Sequence, residues 1–267
     1  MHRLGALALL VCVVLLTIGC AGEEPGATEP AATAAATSAP TQTLRPPASP
    51  RPTATPTAAP TATPQVPVGE VTEIPAGMPP TVDGVLSPGE WDAAVVEPMS
   101  DGSELLLMHG DGYLYLGVRA ATDEMVAANV FLETVGRVRI MHASAALGTA
   151  NLEEAGDRWE RTRAFDWTCR STSSSDAAVA KREAYLADEG WMAANSRMGT
   201  PNELEYRILA PDDPIVLAVS IMRTSSPDER HTWPVALDDD TTTPMSGGVP
   251  DEMLFQPGTW GKVKPLP

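Results

Sequence analysis

Cysteine is scarce in this chain, which carries three in 267 residues: Cys12, Cys20 and Cys169. The first two lie within or just after the apolar N-terminal run, so the rest of the chain holds a single thiol. A disulfide framework inside the folded part is therefore excluded. No cysteine–histidine motif surrounds Cys169, which favours a small buried side chain in a strand over a catalytic nucleophile.

Basic residues are also few, with 18 Lys and Arg against 35 Asp and Glu, giving a formal net charge of −17. The Ala-, Thr- and Pro-rich segment after Cys20 contributes almost nothing to this excess, so the acid lies on the folded part. Backbone contacts to nucleic acid need a basic surface. The composition predicts that nucleic acid is not a partner.

Catalytic signatures are missing as well. The sequence has no Gly-rich phosphate loop, no His-Glu-x-x-His and no Cys-x-x-Cys motif, and the sequence around Ser144 lacks the glycines of a nucleophile elbow. Asp238, Asp239 and Asp240 could supply oxygen ligands to calcium, but they lack the spaced acidic pattern of an EF-hand, and a solvated acidic loop is the simpler interpretation. These absences favour a binding protein over an enzyme.

No apolar run is long enough to span a membrane, because the N-terminal run from Leu4 to Leu16 is shorter than the roughly 20 residues a spanning helix needs. His2 and Arg3 precede it, so residues 1–19 are predicted to be an export signal. Gly19-Cys20 resembles the lipobox of bacterial lipoproteins, although Thr17 stands where that family prefers Leu. The resemblance implies diacylation of Cys20, cleavage before it and a lipid anchor at the extracytoplasmic face of a bacterial membrane. The alternative is an ordinary cleaved signal that releases a soluble protein.

Residues 20–67 consist mainly of Ala, Thr and Pro. Proline fixes φ and Ala and Thr offer little surface to bury, so no core is expected. Proline-rich chain extends by about 3.1 Å per residue. The segment is therefore predicted to be a disordered stalk between the lipid and a folded domain.

Residues 68–267 are long enough for one domain with its own core. Glu104–His109 and Tyr113–Ala120 are strand-like runs separated by Gly110-Asp111-Gly112, a strong hairpin signal. Further predicted strands are Asn129–Glu133, Arg137–Ala143, Phe165–Arg170, Met192–Ser196, Glu203–Leu209 and Ile215–Met222. Helices are predicted to begin at Ser87-Pro88-Gly89-Glu90 and to run from Asp176 to Asp188, with Gly190 as the stop. The pattern predicts a mainly β fold, an antiparallel β-sandwich with short helical insertions.

Two motifs carry a resemblance over about the first fifth of this domain. Val82-Asp83-Gly84 with Gly89-Glu90-Trp91, followed by Asp111-Gly112-Tyr113-Leu114-Tyr115-Leu116, looks like the opening of DOMON-like domains and family 9 carbohydrate-binding modules. The resemblance implies a β-sandwich and two ligand classes, sugars and haem. Calcium also occurs in the sugar-binding relatives.

Sugar recognition in such modules relies on tryptophan, whose wide ring stacks on the C–H face of a sugar. Trp159, Trp167, Trp191, Trp233 and Trp260 are candidates, and Trp91 is expected to pack in the core. Trp159, Trp191 and Trp233 are predicted to bind the ligand, because they lie in or beside segments typical of loops and strand ends.

Haem in the DOMON relatives is held by Met and His, which draws attention to Met108-His109 and Met141-His142. Neighbouring residues on a strand point to opposite faces, however, and no axial motif is visible. The sequence is thus best interpreted as a lipid-anchored, non-catalytic sandwich that binds a glycan without a cofactor. A haem-binding redox domain and a scaffold without a small ligand are the alternatives.

Overall fold

The computed structural model describes residues 71–169, 175–195, 202–210, 214–245 and 248–267. The predicted signal peptide, Cys20 and the stalk lie outside the described residues. The described part contains one α-helix, α1 (Asp176–Glu189), and these strands: β1 (Val71–Ile74), β2 (Val95–Pro98), β3 (Glu104–Gly110), β4 (Tyr113–Arg119), β5 (Val126–Thr134), β6 (Arg137–Ala143), β7 (Ala146–Ala155), β8 (Arg158–Arg163), β9 (Thr168–Cys169), β10 (Trp191–Asn195), β11 (Glu203–Leu209), β12 (Ile215–Arg223), β13 (Ser226–Trp233), β14 (Glu252–Met253) and β15 (Gly261–Pro265).

The described strands form two sheets. The larger runs in the order β1-β15-β12-β5-β6-β7-β8-β14, with β13 also paired to β12 and β9 also paired to β7. The smaller runs in the order β10-β11-β4-β3-β2. Among these pairs β1 and β15 are parallel, and the others are antiparallel.

The β3–β4 hairpin shows why the chain folds this way locally. Asp111 and Gly112 have φ of 50° and 80°, the positive values that a two-residue hairpin turn requires and that an Asp-Gly pair tolerates. The turn fixes a register in which Leu107 lies opposite Leu116. Because side chains alternate across a strand, Leu114, Leu116 and Val118 all face inward. The predicted hairpin is confirmed.

The main core lies between the two sheets. Leu105, Leu107 and Leu116 of the smaller sheet belong to the same buried cluster as Val130 and Val219 of the larger one. The prediction of a mainly β, sandwich-like fold is confirmed.

The predicted helix is confirmed as α1, with Gly190 at its end as expected. The side chain of Ser175 accepts a hydrogen bond from the backbone N–H of Ala178, and Gly190 ends the helix with φ of 69°. The helix predicted to begin at Ser87-Pro88-Gly89-Glu90 is wrong, since these residues form turns. Gly89 has φ of 92°, a left-handed conformation that interrupts a helix at its start. No helix among the described residues is long and apolar enough to cross a membrane.

Each sheet has an outer face, and an irregular segment covers it. The first cover, residues 82–94, places Leu86 and Trp91 on Leu106, Met108 and Tyr115 of the smaller sheet. The second cover, residues 239–245 and 248–260, lies on the larger sheet. Its residues Met245, Val249, Met253, Phe255 and Trp260 pack against Phe131, Val138, Ile140, Ala150, Leu152 and Ala218.

Candidate functional site

Two of the three tryptophans predicted to bind a ligand are fully buried in the main core. Trp191 and Trp233 are 0% exposed. Trp191 donates from Nε1 to Thr149 Oγ1 at 2.9 Å and stacks on Tyr206 with ring centroids 5.9 Å apart. The prediction that they lie at exposed positions is wrong, because both strand ends turn their large apolar rings between the sheets, where burial is most favourable.

Trp159 is also largely buried, at 7% exposed, so the expectation of an exposed ring is wrong for it too. It differs from the other two in its position, because it lies on β8 at the outer face of the larger sheet. Its Nε1 donates to the carbonyl oxygen of Phe255 at 3.2 Å, which fixes the indole beneath the second cover. The remaining ring edge reaches a surface cavity.

This cavity, called here the Trp159 cavity, has a volume of about 350 Å³. The register of the strands brings its lining residues together. Val216 on β12 lies opposite Lys262 on one side and opposite Glu133 on the other, and Glu154 on β7 lies opposite Trp159. Pro257 and Gly258 complete the lining.

The chemistry of the cavity is mixed. Glu133 accepts a hydrogen bond from the backbone N–H of Gly136 through Oε1, at 3.1 Å, and its Oε2 faces no described donor. Neither Glu154 nor Lys262 forms an ion pair with a described residue. The cavity therefore offers carboxylate acceptors, an ammonium donor and an apolar surface from Val216 and the indole.

The exposed tryptophan is Trp167, at 47%, in the connection between β8 and β9. Its ring lies 4.5 Å from that of Phe165 and 5.1 Å from that of His142, centroid to centroid. We call these three side chains the aromatic shelf. The strand predicted from Phe165 to Arg170 is reduced to β9, whose backbone includes Cys169, and its first residues leave the sheet edge. Trp167 is exposed because the chain leaves the sheet here. The hydrophobic periodicity of the sequence did not predict this.

The haem alternative meets a geometric obstacle at Met141-His142. Met141 points into the main core between the sheets, whereas His142 lies on the outer face beside Trp167. Nδ1 of His142 is also 2.8 Å from Oδ1 of Asn129. Two side chains on opposite faces of a sheet cannot bind one iron. At the other pair, Met108 is buried under the first cover.

The acidic run at Asp238–Asp240 has a structural role. Asp239 accepts hydrogen bonds from Trp260 Nε1 at 2.8 Å, from the backbone N–H of Gln256 at 2.9 Å, and from the backbone N–H and hydroxyl of Thr241. Asp240 accepts from the backbone N–H of Leu254. These carboxylates hold the second cover in place, and the described residues contain no group of three or more His, Cys, Asp or Glu arranged for a metal.

A second set of carboxylates, which sequence reasoning missed, holds the first cover. Glu205 is fully buried on β11 and accepts hydrogen bonds from the backbone N–H groups of Asp83 and Gly84 at 2.9 and 2.7 Å and from Trp91 Nε1 at 3.1 Å. Glu203 accepts from the backbone N–H of Leu86 at 3.0 Å. The Val-Asp-Gly and Glu-Trp motifs are thus the parts of the first cover that these carboxylates bind.

Burial raises the pKa of Glu205 to about 7, while the hydrogen bonds from Gly84, Trp91 and Asp83 act in the opposite direction. The signal in the sequence was the alternation of Glu203, Glu205 and Arg207 along β11, which places all three on the outer face of the smaller sheet. An outer-facing carboxylate is normally solvated. Only the fold shows that the first cover buries this one.

Comparison with known proteins gives no assignment. No protein-family model matches the chain, and no curated protein or solved structure matches it.

Proposed function

We propose that this protein is a lipid-anchored binding protein of the extracytoplasmic face of a bacterial membrane, whose DOMON-like sandwich binds a glycan at the Trp159 cavity without chemistry of its own. The observation that carries the proposal is the combination of an indole, two carboxylates and an ammonium group around one cavity of about 350 Å³. This volume lies in the range of small-ligand sites.

A sugar matches this lining group by group. Its hydroxyls donate to the free oxygens of Glu133 and Glu154 and accept from the ammonium group of Lys262. Its C–H face packs on Val216 and on the edge of Trp159. Because Trp159 is fixed by Phe255, the apolar wall is already in place before the ligand arrives, which lowers the entropy cost of binding.

A binding role fits the two carboxylates better than catalysis does. Glycoside hydrolysis needs a carboxylic acid that stays protonated because of an apolar environment, next to a carboxylate that stays ionised. Glu133 is half-buried and Glu154 is exposed, and both lie at the rim of a cavity open to water. Neither side chain has the surroundings of a general acid.

Calorimetric titration with short cello-, xylo-, malto- and chito-oligosaccharides tests the proposal. At least one of these should bind the parent, and the Glu133→Gln/Glu154→Gln protein should bind it at least about 10-fold more weakly, equivalent to about 1.4 kcal/mol. Glu160→Gln is the matched control, because Glu160 is an exposed carboxylate on the same strand as Trp159 and outside the cavity lining. Absence of binding to every probe, or equal affinity of parent and double variant, contradicts the proposal.

The anchor is tested separately at Cys20. Cys20→Ala should abolish lipid labelling and release the protein from the membrane fraction, because two acyl chains hold a protein stably at a bilayer where one holds it only marginally. Retention of the variant in membranes at the level of the parent would show that lipid on Cys20 is not the anchor.

A further inference from the structure

The aromatic shelf presents the largest exposed aromatic surface among the described residues. Trp167 is 47% exposed, whereas the other five tryptophans are 7% exposed or less. We propose that the shelf is a second sugar-binding platform, on which Trp167 stacks against a ring of the same glycan that the Trp159 cavity binds. The identity of the ligand rests on the proposed function, and the position of the platform rests on separate observations.

The first observation is that the indole of Trp167 is held in place. Gly148 lies beneath it, and a Cβ added at Gly148 would stand 2.9 Å from ring atom Cε3 of Trp167 and 3.1 Å from Phe165. Only glycine leaves room for the ring at this point. The ring of His142 meets the indole edge-on, with an interplanar angle of 88°. A ring held on several sides loses little freedom when a sugar stacks on it.

The second observation is a buried polar row that ends at the shelf. Strand register places Thr232, Ser220, Asn129, His142 and Gly148 side by side across β13, β12, β5, β6 and β7. Nδ2 of Asn129 and Oγ of Ser220 are buried without a hydrogen-bond partner. Such groups are rare in native proteins. Both side chains are 0% exposed, so a polyol bound at the shelf satisfies them through an ordered water rather than directly.

The two sites share one face of the molecule. Trp159 lies opposite Glu154 near one end of β7, and the shelf lies over Gly148 near the other. At about 3.3 Å per residue, the six residues between these positions correspond to about 20 Å. A glycan chain that reaches both sites gains affinity from the second contact, because that contact forms within the complex. A short sugar that fills only the Trp159 cavity does not gain this affinity.

Fluorescence quenching tests the platform on the full-length protein. Since Trp167 is the one tryptophan of the six that is well exposed, acrylamide quenches mainly its emission. The longest oligosaccharide that binds in the calorimetric titration should protect this emission, and protection should persist in the Glu133→Gln/Glu154→Gln protein at correspondingly higher sugar concentration. Trp167→Phe should remove most of the quenchable emission while keeping a stacking ring. Trp167→Ala should lower affinity for the long sugar about 10-fold and leave that for the shortest sugar unchanged.

The outcomes separate the two proposals. Calorimetric binding that saturates with no change in quenching overturns the platform and leaves the Trp159 cavity standing. Equal affinities of Trp167→Ala and parent for long sugars also overturn it. If the sugar protects Trp167 from quenching in the parent and the Glu133→Gln/Glu154→Gln protein binds it with undiminished affinity, the platform is supported and the proposed site at the Trp159 cavity is overturned. If no oligosaccharide gives heat in the calorimetric titration and none protects Trp167 from quenching, both proposals are overturned.

Discussion

A carboxylate that accepts an indole N–H holds each of the two covers of the sandwich, but the two carboxylates differ in burial. In the first cover Trp91 donates its indole N–H to Glu205, and in the second Trp260 donates its indole N–H to Asp239. Each carboxylate also accepts backbone N–H groups of the cover. Glu205, however, is fully buried, whereas Asp239 is half-buried in a loop and shares its oxygens with a hydroxyl.

This difference in burial shows which face of the molecule leaves side chains accessible to a ligand. The first cover seals Glu205 completely, so its motif residues serve the fold. The second cover occupies the centre of the larger sheet and leaves both ends of that face accessible, one at the Trp159 cavity and the other at the aromatic shelf. The Val82-Asp83-Gly84 and Glu90-Trp91 motifs and the residues that form the proposed site therefore lie on the outer faces of different sheets.

Removal of the carboxylate under the first cover should have the largest effect. Glu205→Ala leaves three N–H donors without an acceptor, two of them in buried hydrogen bonds, and should lower the free energy of unfolding by about 4 kcal/mol. Chemical denaturation measures this directly. A loss below about 1 kcal/mol would show that water or a rearranged loop replaces the carboxylate.

The pH dependence of stability should be the next largest effect. The folded protein keeps the Glu205 proton up to about pH 7, whereas the unfolded chain loses it near pH 4.5. Between pH 4.5 and about 7 only the folded state holds the proton on Glu205. The stabilisation that this proton gives the folded state is therefore full below pH 4.5 and is lost as pH rises to about 7. Linkage gives a loss of about 3 kcal/mol.

Glu205→Gln is the control for this titration, because it removes the proton while keeping the shape of the side chain. Other carboxylates also titrate, so the measured quantity is the difference between parent and variant in denaturation at several pH values. Parallel stability profiles across this window would mean that Glu205 has the same pKa in both states.

The carboxylate under the second cover should matter less. Asp239→Ala removes the acceptor for Trp260, Gln256 and Thr241, but water can reach part of this loop, so we expect a loss of about 2 kcal/mol. Glu252→Gln, at an exposed ion pair with Arg158, is the control and should change stability by less than about 1 kcal/mol. A larger loss for Asp239→Ala than for Glu205→Ala would reverse the comparison of the two covers.

Local sequence signals predicted the parts of the fold that local physics determines. The Asp-Gly turn defined the β3–β4 hairpin, and alternation defined β11 at its observed bounds, Glu203–Leu209. Gly190 was predicted to end α1, and it does. Strand β8, which reads Arg-Trp-Glu-Arg-Thr-Arg, was missed because only Trp159 of its six residues is buried, so its hydrophobic pattern is weak.

The site was harder to predict than the fold because exposure is a property of the tertiary structure. Trp191 and Trp233 lie at strand ends, where exposure was expected, yet the sheets enclose both rings. Glu133, Glu154 and Lys262 come from three different strands, β5, β7 and β15. Only their register brings them around Trp159.

Hydrogen exchange on the full-length protein, with and without a bound oligosaccharide, tests most directly the claim that the ligand lies on the face of the second cover. Any ligand of the native state protects all globally exchanging amides equally. Beyond that uniform effect, we predict added protection at residues 133–136, 154–159 and 257–262, and none at residues 82–94. Added protection concentrated at residues 82–94, with none around Trp159, would contradict the account.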